Sequence, residues 1–397
     1  MLRYLRVIFP LSALLLCQPG FSQWFNQVSA VPDNLYGVAF VNRDTGYAVG
    51  GGLNNSRLLR TFDGGMNWEN TSLSQSKWLY DVHFINESTG IACGYNGVIY
   101  KTTDYGSTWN ARPSEVTDWL YAIDFVSADT GYIAGLNGRI IRTVNGGNNW
   151  TQLNSGTASW LLDIQFYNSE LGYTCGEDGR IFRTTNAGGN WSELDNPVNN
   201  TLNSIWIVNP DTIFAVGNTG TIVLSTDSGT TWDPVFSNTT SHLKSIFFKS
   251  PSHGFIVGET IILQTANGGI DWFPMANPVT VGLEDVVIVK DATTAYAVGK
   301  SGAIIKNDLT TGIESEEGLS GIKLYPNPAV DYIDVVIEDQ NFAERIEVLN
   351  TDGRILQTFA MNGASSLRVP LAYNAGIYLL RITSGNYSVT KKVIVDP

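Results

Sequence analysis

Thr61-Phe-Asp63-Gly-Gly65-Met-Asn-Trp68 is the first of six copies of one eight-residue box. The others run Thr102–Trp109, Thr143–Trp150, Thr184–Trp191, Ser225–Trp232 and Thr265–Trp272. Their tryptophans stand 41 residues apart four times and 40 once. In each box a hydroxyl residue is followed by Asp or Asn, then Gly, then Trp. The Asp or Asn side chain can accept backbone N–H groups further along a turn. The Gly tolerates a positive φ, and the Trp supplies an apolar cover. Each box therefore predicts a self-contained turn between two strands, repeated by a stacking architecture.

The box resembles the Asp-box, or neuraminidase-type, motif. Asn145, Asn186 and Asn267 replace the Asp in three copies, which keeps the acceptor and drops the charge. The resemblance implies scaffold rather than a catalytic site.

Outward from the boxes, four short strands are expected per repeat. The inner strands are expected at Tyr36–Phe40, Tyr80–Phe84, Tyr121–Phe125, Leu162–Phe166, Asn203–Ile207, Lys244–Phe248 and Asp285–Ile288. A recurring Gly follows each second strand, at 50, 94, 135, 176, 217, 258 and 299. Its first interval is longer because of a loop insertion at Gly50–Ser56. Seven inner strands predict an all-β, seven-bladed β-propeller over residues 23–308. Trp24 stands where a post-box Trp belongs but no box precedes it, and the last repeat loses its box at Asn307-Asp308. The two defects complement each other, so Trp24–Val28 is expected to close the last blade and remove its free edge. Cys93 and Cys175 share one column in blades 2 and 4, too far apart for a bridge. Two buried free thiols are expected.

Residues 1–22 read as a secretory signal peptide. Arg3 and Arg6 precede an apolar run, and Gly20 and Ser22 are small residues before Gln23. Cys17 sits in a faint lipobox whose Leu16 is too large. No other apolar run reaches membrane-spanning length, so no transmembrane span is expected in the mature form. The net charge is −13, and loss of the two leader arginines takes it to −15. That balance argues against a nucleic-acid groove. Residues 309–321 read as an acidic linker. Some seven short strands over 322–397 predict a small C-terminal β-sandwich.

The C-terminal unit resembles the type A C-terminal sorting domain of the type IX secretion system. The resemblance rests on Tyr325-Pro-Asn-Pro328, Asp352-Gly353, Gly376-Ile-Tyr378-Leu-Leu-Arg-Ile382 and Lys391-Lys392. It implies export, engagement of the type IX machinery, and a secreted or outer-surface address. The propeller resembles the photosystem II stability/assembly-factor propellers in Gly138-Arg-Ile-Ile-Arg142-Thr143 and Gly179-Arg-Ile-Phe-Arg183-Thr184, each leading to a box Trp. That resemblance implies a protein-binding propeller without catalysis, with an arginine patch.

Three constellations could carry function. Trp78, Trp119 and Trp160 recur 41 apart before the inner strands, with Tyr80 and Tyr121 two residues beyond the first two. Such an arc could stack on sugar rings or hold peptide side chains; alternatively each Trp plugs a gap between blades. Arg60, Arg142 and Arg183 precede box hydroxyls and could dock acidic groups, or pair with a neighbouring blade. Asp81, Asp124 and Asp163 lie on the inner strands and could act as acid and base in glycoside hydrolysis. Equally, they could pair with backbone between blades. A protein or glycan ligand bound by an exported, non-enzymatic monomer is the reading preferred here, with a sialidase- or xyloglucanase-like hydrolase as the alternative. No metal motif or phosphate loop is present in the sequence, and no cofactor is expected.

Overall fold

In the computed structural model, the described residues are 24–289 except 53, 54, 72 and 74–76, then 294–308, 322–326, 329–337, 344–350, 354–361, 364–384 and 387–395. The expected signal peptide, linker and Asp352-Gly353 turn lie outside them, as do Asn327 and Pro328. Two compact units are formed, one within Gln23–Leu309 and one within Thr310–Pro397.

The first unit holds seven four-stranded antiparallel sheets among the described residues. Their inner strands are Asn34–Phe40, Leu79–Phe84, Leu120–Phe125, Leu161–Phe166, Leu202–Ile207, Leu243–Phe248 and Leu283–Ile288. The sheets, numbered as blades 1 to 7 in that order, form a ring. Blade 7 meets blade 1 where the Val38 amide donates to Asp285 at 2.9 Å. The N-terminal strand Trp24–Gln27 pairs antiparallel with Ile304–Asp308, setting Trp24 opposite Asn307 and supplying the outer strand of blade 7. Trp24 packs edge-on to Phe255 of the preceding blade, as the box Trp272 does to Phe214 of the blade before it. It thus replaces a box Trp sterically as well as in sequence.

Each box folds the same way. The hydroxyl accepts the Gly N–H at 2.8–3.0 Å and donates to the Asp or Asn Oδ1 at 2.8–3.0 Å. That oxygen also accepts the N–H two residues past the Gly, at 2.8–3.0 Å. One carbonyl-type oxygen suffices, which is why Asn serves as well as Asp. The box Gly has φ between +70° and +82°, where a Cβ would be strained. Tyrosines on second strands then bind the next box: Tyr47, Tyr132 and Tyr173 donate to Tyr105, Ala187 and Ser228 carbonyls at 2.9–3.0 Å.

Cys93 and Cys175 are buried free thiols. The C-terminal unit packs a three-stranded sheet (Ile322–Tyr325, Tyr332–Ile337, Ser366–Pro370) and a four-stranded one (Ile355–Ala360, Arg345–Leu349, Gly376–Ser384, Tyr387–Val395). Alternate residues such as Ile333, Val335, Ile346, Val348, Leu380 and Ile382 fill a common core, as a β-sandwich requires.

Candidate functional site

The site is built by an irregularity that occurs in every blade. Each inner strand slips register after its buried leucine, for example between Leu79 and Asp81 and between Leu120 and Ala122. The same slip occurs in the other five blades. It is a β-bulge, and a bulge re-aims a side chain. The extra residue and its successor therefore both line the centre of the ring. Seven bulge residues form a mouth, in ring order Tyr36, Tyr80, Tyr121, Leu162, Asn203, Lys244 and Glu284. The recurring glycines make this possible. A Cβ on Gly94, Gly135 or Gly176 would lie 1.9–2.1 Å from the carbonyl oxygen of Trp78, Trp119 or Trp160.

The mouth opens into a cavity of about 530 Å³. One half is aromatic. Tyr36 and Tyr80 rings stand 5.5 Å apart, Tyr80 and Tyr121 5.2 Å, and Trp160, 42% exposed, rises beside them. The other half is polar, made of Asn203, Asn218, Lys244 and Glu284, with Glu177 at the rim. Burial raises Tyr80, and raises Tyr121 to about 12, so both stay protonated. Burial also raises the Glu284 carboxyl, opposed by Lys244 and Lys300.

Below the mouth runs a belt of acceptors. Asp81 Oδ2 accepts the Ile123 amide at 2.7 Å, Asp163 Oδ2 accepts Ile205 at 2.8 Å, and Asp285 Oδ2 accepts Val38. Asp124 accepts the Phe166 amide at 2.7 Å one step further down. Each carboxylate thus joins its inner strand to the next one. These half-buried side chains line the centre of the ring, and burial dominates their titration. Burial and then the charge of Asp285 lift Asp81 to about 8. Burial lifts Asp124 to about 7 and Asp285 to about 6, and raises Asp163. His83, also enclosed, falls to about 4 and is neutral. Among the described residues no group of three or more His, Cys, Asp or Glu side chains is arranged to hold a metal ion.

The tryptophan arc divides. Trp160 lines the cavity. Trp119 sits between Tyr95 and Tyr121, with ring distances of 5.1 and 6.3 Å, and stacks on Tyr80 at 6.1 Å. Trp78 donates its indole N–H to the Gly52 carbonyl of blade 1. Trp78 and Trp119 are therefore packed across blade junctions behind the aromatic wall. The arginine column is not brought to this face. In blade 3, Arg139 pairs with Gly135 near Trp119, whereas Arg142 pairs with Tyr132 at the far end of the sheet. Arg183 donates to the Ser228 carbonyl of the next box at 2.7 Å. Arg60 binds Glu69 and reaches Ser107 of the next box at 3.4 Å. The Arg142 guanidinium lies over the Tyr132 ring at 5.7 Å.

Sequence reasoning passed over Leu162, Asn203, Lys244 and Glu284 because it treated each inner strand as unbroken. The signal was present. Leu79 and Val82, like Leu161 and Ile164, are buried residues three apart, a spacing that period-two alternation cannot produce.

A ring of four-stranded antiparallel sheets around a central cavity defines a β-propeller, followed in sequence by a sandwich. The sandwich matches the secretion system C-terminal sorting domain over residues 323–396, which marks the chain for type IX export to the cell surface or beyond. The chain belongs to the family of photosynthesis system II assembly factor YCF48, whose model matches residues 66–158, 148–240 and 198–265. The structure of YCF48 bound to D1 peptide superposes with a TM-score of 0.62 at 18% identity, covering 74% of this chain and 96% of that one. The WD40 β-propeller domain of Doa1 gives 0.59 at 14% identity, covering 72% and 97%. PorZ, an essential surface component of the type IX secretion system of Porphyromonas gingivalis, gives 0.54 at 12%, covering 89% and 58%. At these identities the likeness is one of fold. No curated protein matches the sequence. No helix among the described residues is long and apolar enough to cross a membrane.

Proposed function

We propose that the mature protein is an exported, non-catalytic propeller that binds a segment of another protein in the central cavity. The observation that carries this reading is the bulge-built mouth, which gathers Tyr36, Tyr80 and Tyr121 beside Trp160 and opposite polar groups. Pockets of this size with an apolar wall and a few convergent polar groups are the usual form of a binding site. Trp160, Tyr80 and Tyr121 contact the ligand; Trp78 and Trp119 hold the wall in place. YCF48 with its D1 peptide supports a peptide ligand by family likeness. Residues 1–22 act as a signal peptide, 23–308 form the propeller, 309–321 link it, and 322–397 engage the type IX machinery. Asp81, Asp124 and Asp163 serve as inter-blade acceptors in this reading. The arginines Arg60, Arg142 and Arg183 brace the boxes.

The test is cross-linking capture of surface proteins by the full-length chain, beside a glycan array. A captured protein lost on Trp160→Ala supports the reading. A saturable glycan hit lost in the same variant replaces it with carbohydrate binding, and polysaccharide turnover abolished by Asp81→Asn would replace it with hydrolysis.

A further inference from the structure

The chemistry of the mouth goes further than an aromatic wall. Tyrosine faces attract cations through the ring quadrupole, most strongly where water is excluded. Here three tyrosines are adjacent in the ring, and Glu177 stands at the rim beside them. Its carboxylate is close enough to raise Tyr121. Among the described residues that carboxylate accepts one hydrogen bond, a long one of 3.4 Å from the Trp160 backbone amide. It makes no ion pair among the described residues. On the opposite side the Glu284 carboxylate lies 3.9 Å from the Lys300 ammonium. Asp81, Asp163, Asp285 and Glu284 also line the cavity, but burial raises all four, Asp81 to about 8, so the anion offered beside the tyrosines is Glu177, with Lys244 the one amine in the lining. The whole chain carries −13, so the long-range field favours a basic partner as well.

We infer that the cavity receives a lysine or arginine side chain of the bound protein segment, its cation resting against Tyr80 and Tyr121 and its charge met by Glu177. This inference depends on the peptide-binding reading above. The alkyl stem of such a side chain would cover the tyrosine faces while its head reaches the carboxylate. Leu162, between the tyrosines and the polar half, gives that stem an apolar flank.

A random twelve-residue peptide library selected on the full-length chain tests it. Clones are kept when their binding is lost on Trp160→Ala or Tyr121→Leu. The expected result is enrichment of one Lys or Arg at a fixed position. Its replacement by norleucine should weaken binding about tenfold, the scale of a partly desolvated cation–π contact. Glu177→Gln should shrink that penalty while leaving the norleucine peptide unaffected. Cavity-dependent clones enriched in neutral or acidic residues would overturn the cation and leave peptide binding standing. Selection that yields no cavity-dependent clone would overturn both.

Discussion

The Tyr296 hydroxyl donates to the Gly64 carbonyl at 2.7 Å across 232 positions of sequence. It does between the last and first blades what Tyr47, Tyr132 and Tyr173 do within the ring. Blades 2, 5 and 6 hold Ile91, Phe214 and Phe255 in that column, so the ring stack alone is sterically adequate there. Tyr132→Phe should therefore cost about 1 kcal/mol, the net worth of one hydrogen bond. Urea denaturation reads it as a lower midpoint at unchanged slope. Deleting Trp24–Gln27 is a different perturbation, because it strips the outer strand from blade 7 and leaves a free edge. That variant should unfold with a lower slope or in two steps.

The boxes predict a sharp contrast between two conservative changes. Thr143 is 1% exposed, and its hydroxyl holds the Gly147 amide at 2.9 Å. Thr143→Val leaves a buried N–H without a partner and should cost about 1–3 kcal/mol. Asp104→Asn keeps the acceptor for the Thr108 amide and reproduces what Asn145 already does for Asn149. It should leave the midpoint within about 0.5 kcal/mol of wild type, as surface changes do. Equal losses in the two variants would mean that the charge, and not the oxygen, holds the turn.

Much of this was legible from the repeat alone. The period fixed the blades, and the absent box before Trp24 and after Lys306 together specified the strand that closes the ring. Cys93 and Cys175 were placed correctly by column because a column is also a radius in a propeller. The cavity was not legible in the same way. Its wall depends on a bulge that shifts which residues face inward, and the motif search followed residue type instead of the Leu79-to-Val82 spacing. Trp78, Trp119 and Trp160 look equivalent in sequence. They differ in space because blade 1 offers Trp78 a carbonyl at Gly52 and blade 2 offers Trp119 the rings of Tyr80 and Tyr95, whereas no ring partner is found for Trp160 among the described residues.

The acid belt makes stability fall as pH rises. An unburied aspartate titrates near 3.8, whereas Asp81 is lifted to about 8 in the fold, chiefly by burial. Between those values the folded chain holds a proton that the unfolded chain has released. Stability is then complete below the unfolded value and is lost as pH climbs towards the folded one. Asp285, lifted to about 6, acts over a narrower window on the same side. Each unit of separation corresponds to about 1.4 kcal/mol. Asp81→Asn removes this titration but places an amide nitrogen where the Ile123 or Val82 amide needs an acceptor. The variant should therefore be less stable than wild type at pH 5, and the gap should narrow by pH 8. Paired urea titrations at the two pH values measure it, and a gap that stays constant between them would mean that Asp81 is already ionised in the fold at pH 5.

Trp119 and Trp160 separate stability from binding. Trp119 packs against rings from blades 2 and 3, so Trp119→Ala opens a cavity at a blade junction and should cost about 3 kcal/mol or more. Its effect on ligand affinity should be indirect and should shrink in Trp119→Phe, which restores much of the ring contact. Trp160 is 42% exposed at the cavity rim, so Trp160→Ala should leave the urea midpoint within about 0.5 kcal/mol of wild type. Its loss should appear in affinity instead, by about 2 kcal/mol or more if it is a central anchor. If both variants lost stability and neither lost affinity beyond its unfolded fraction, the arc would be packing throughout, and the ligand would have to be sought on another surface of the ring.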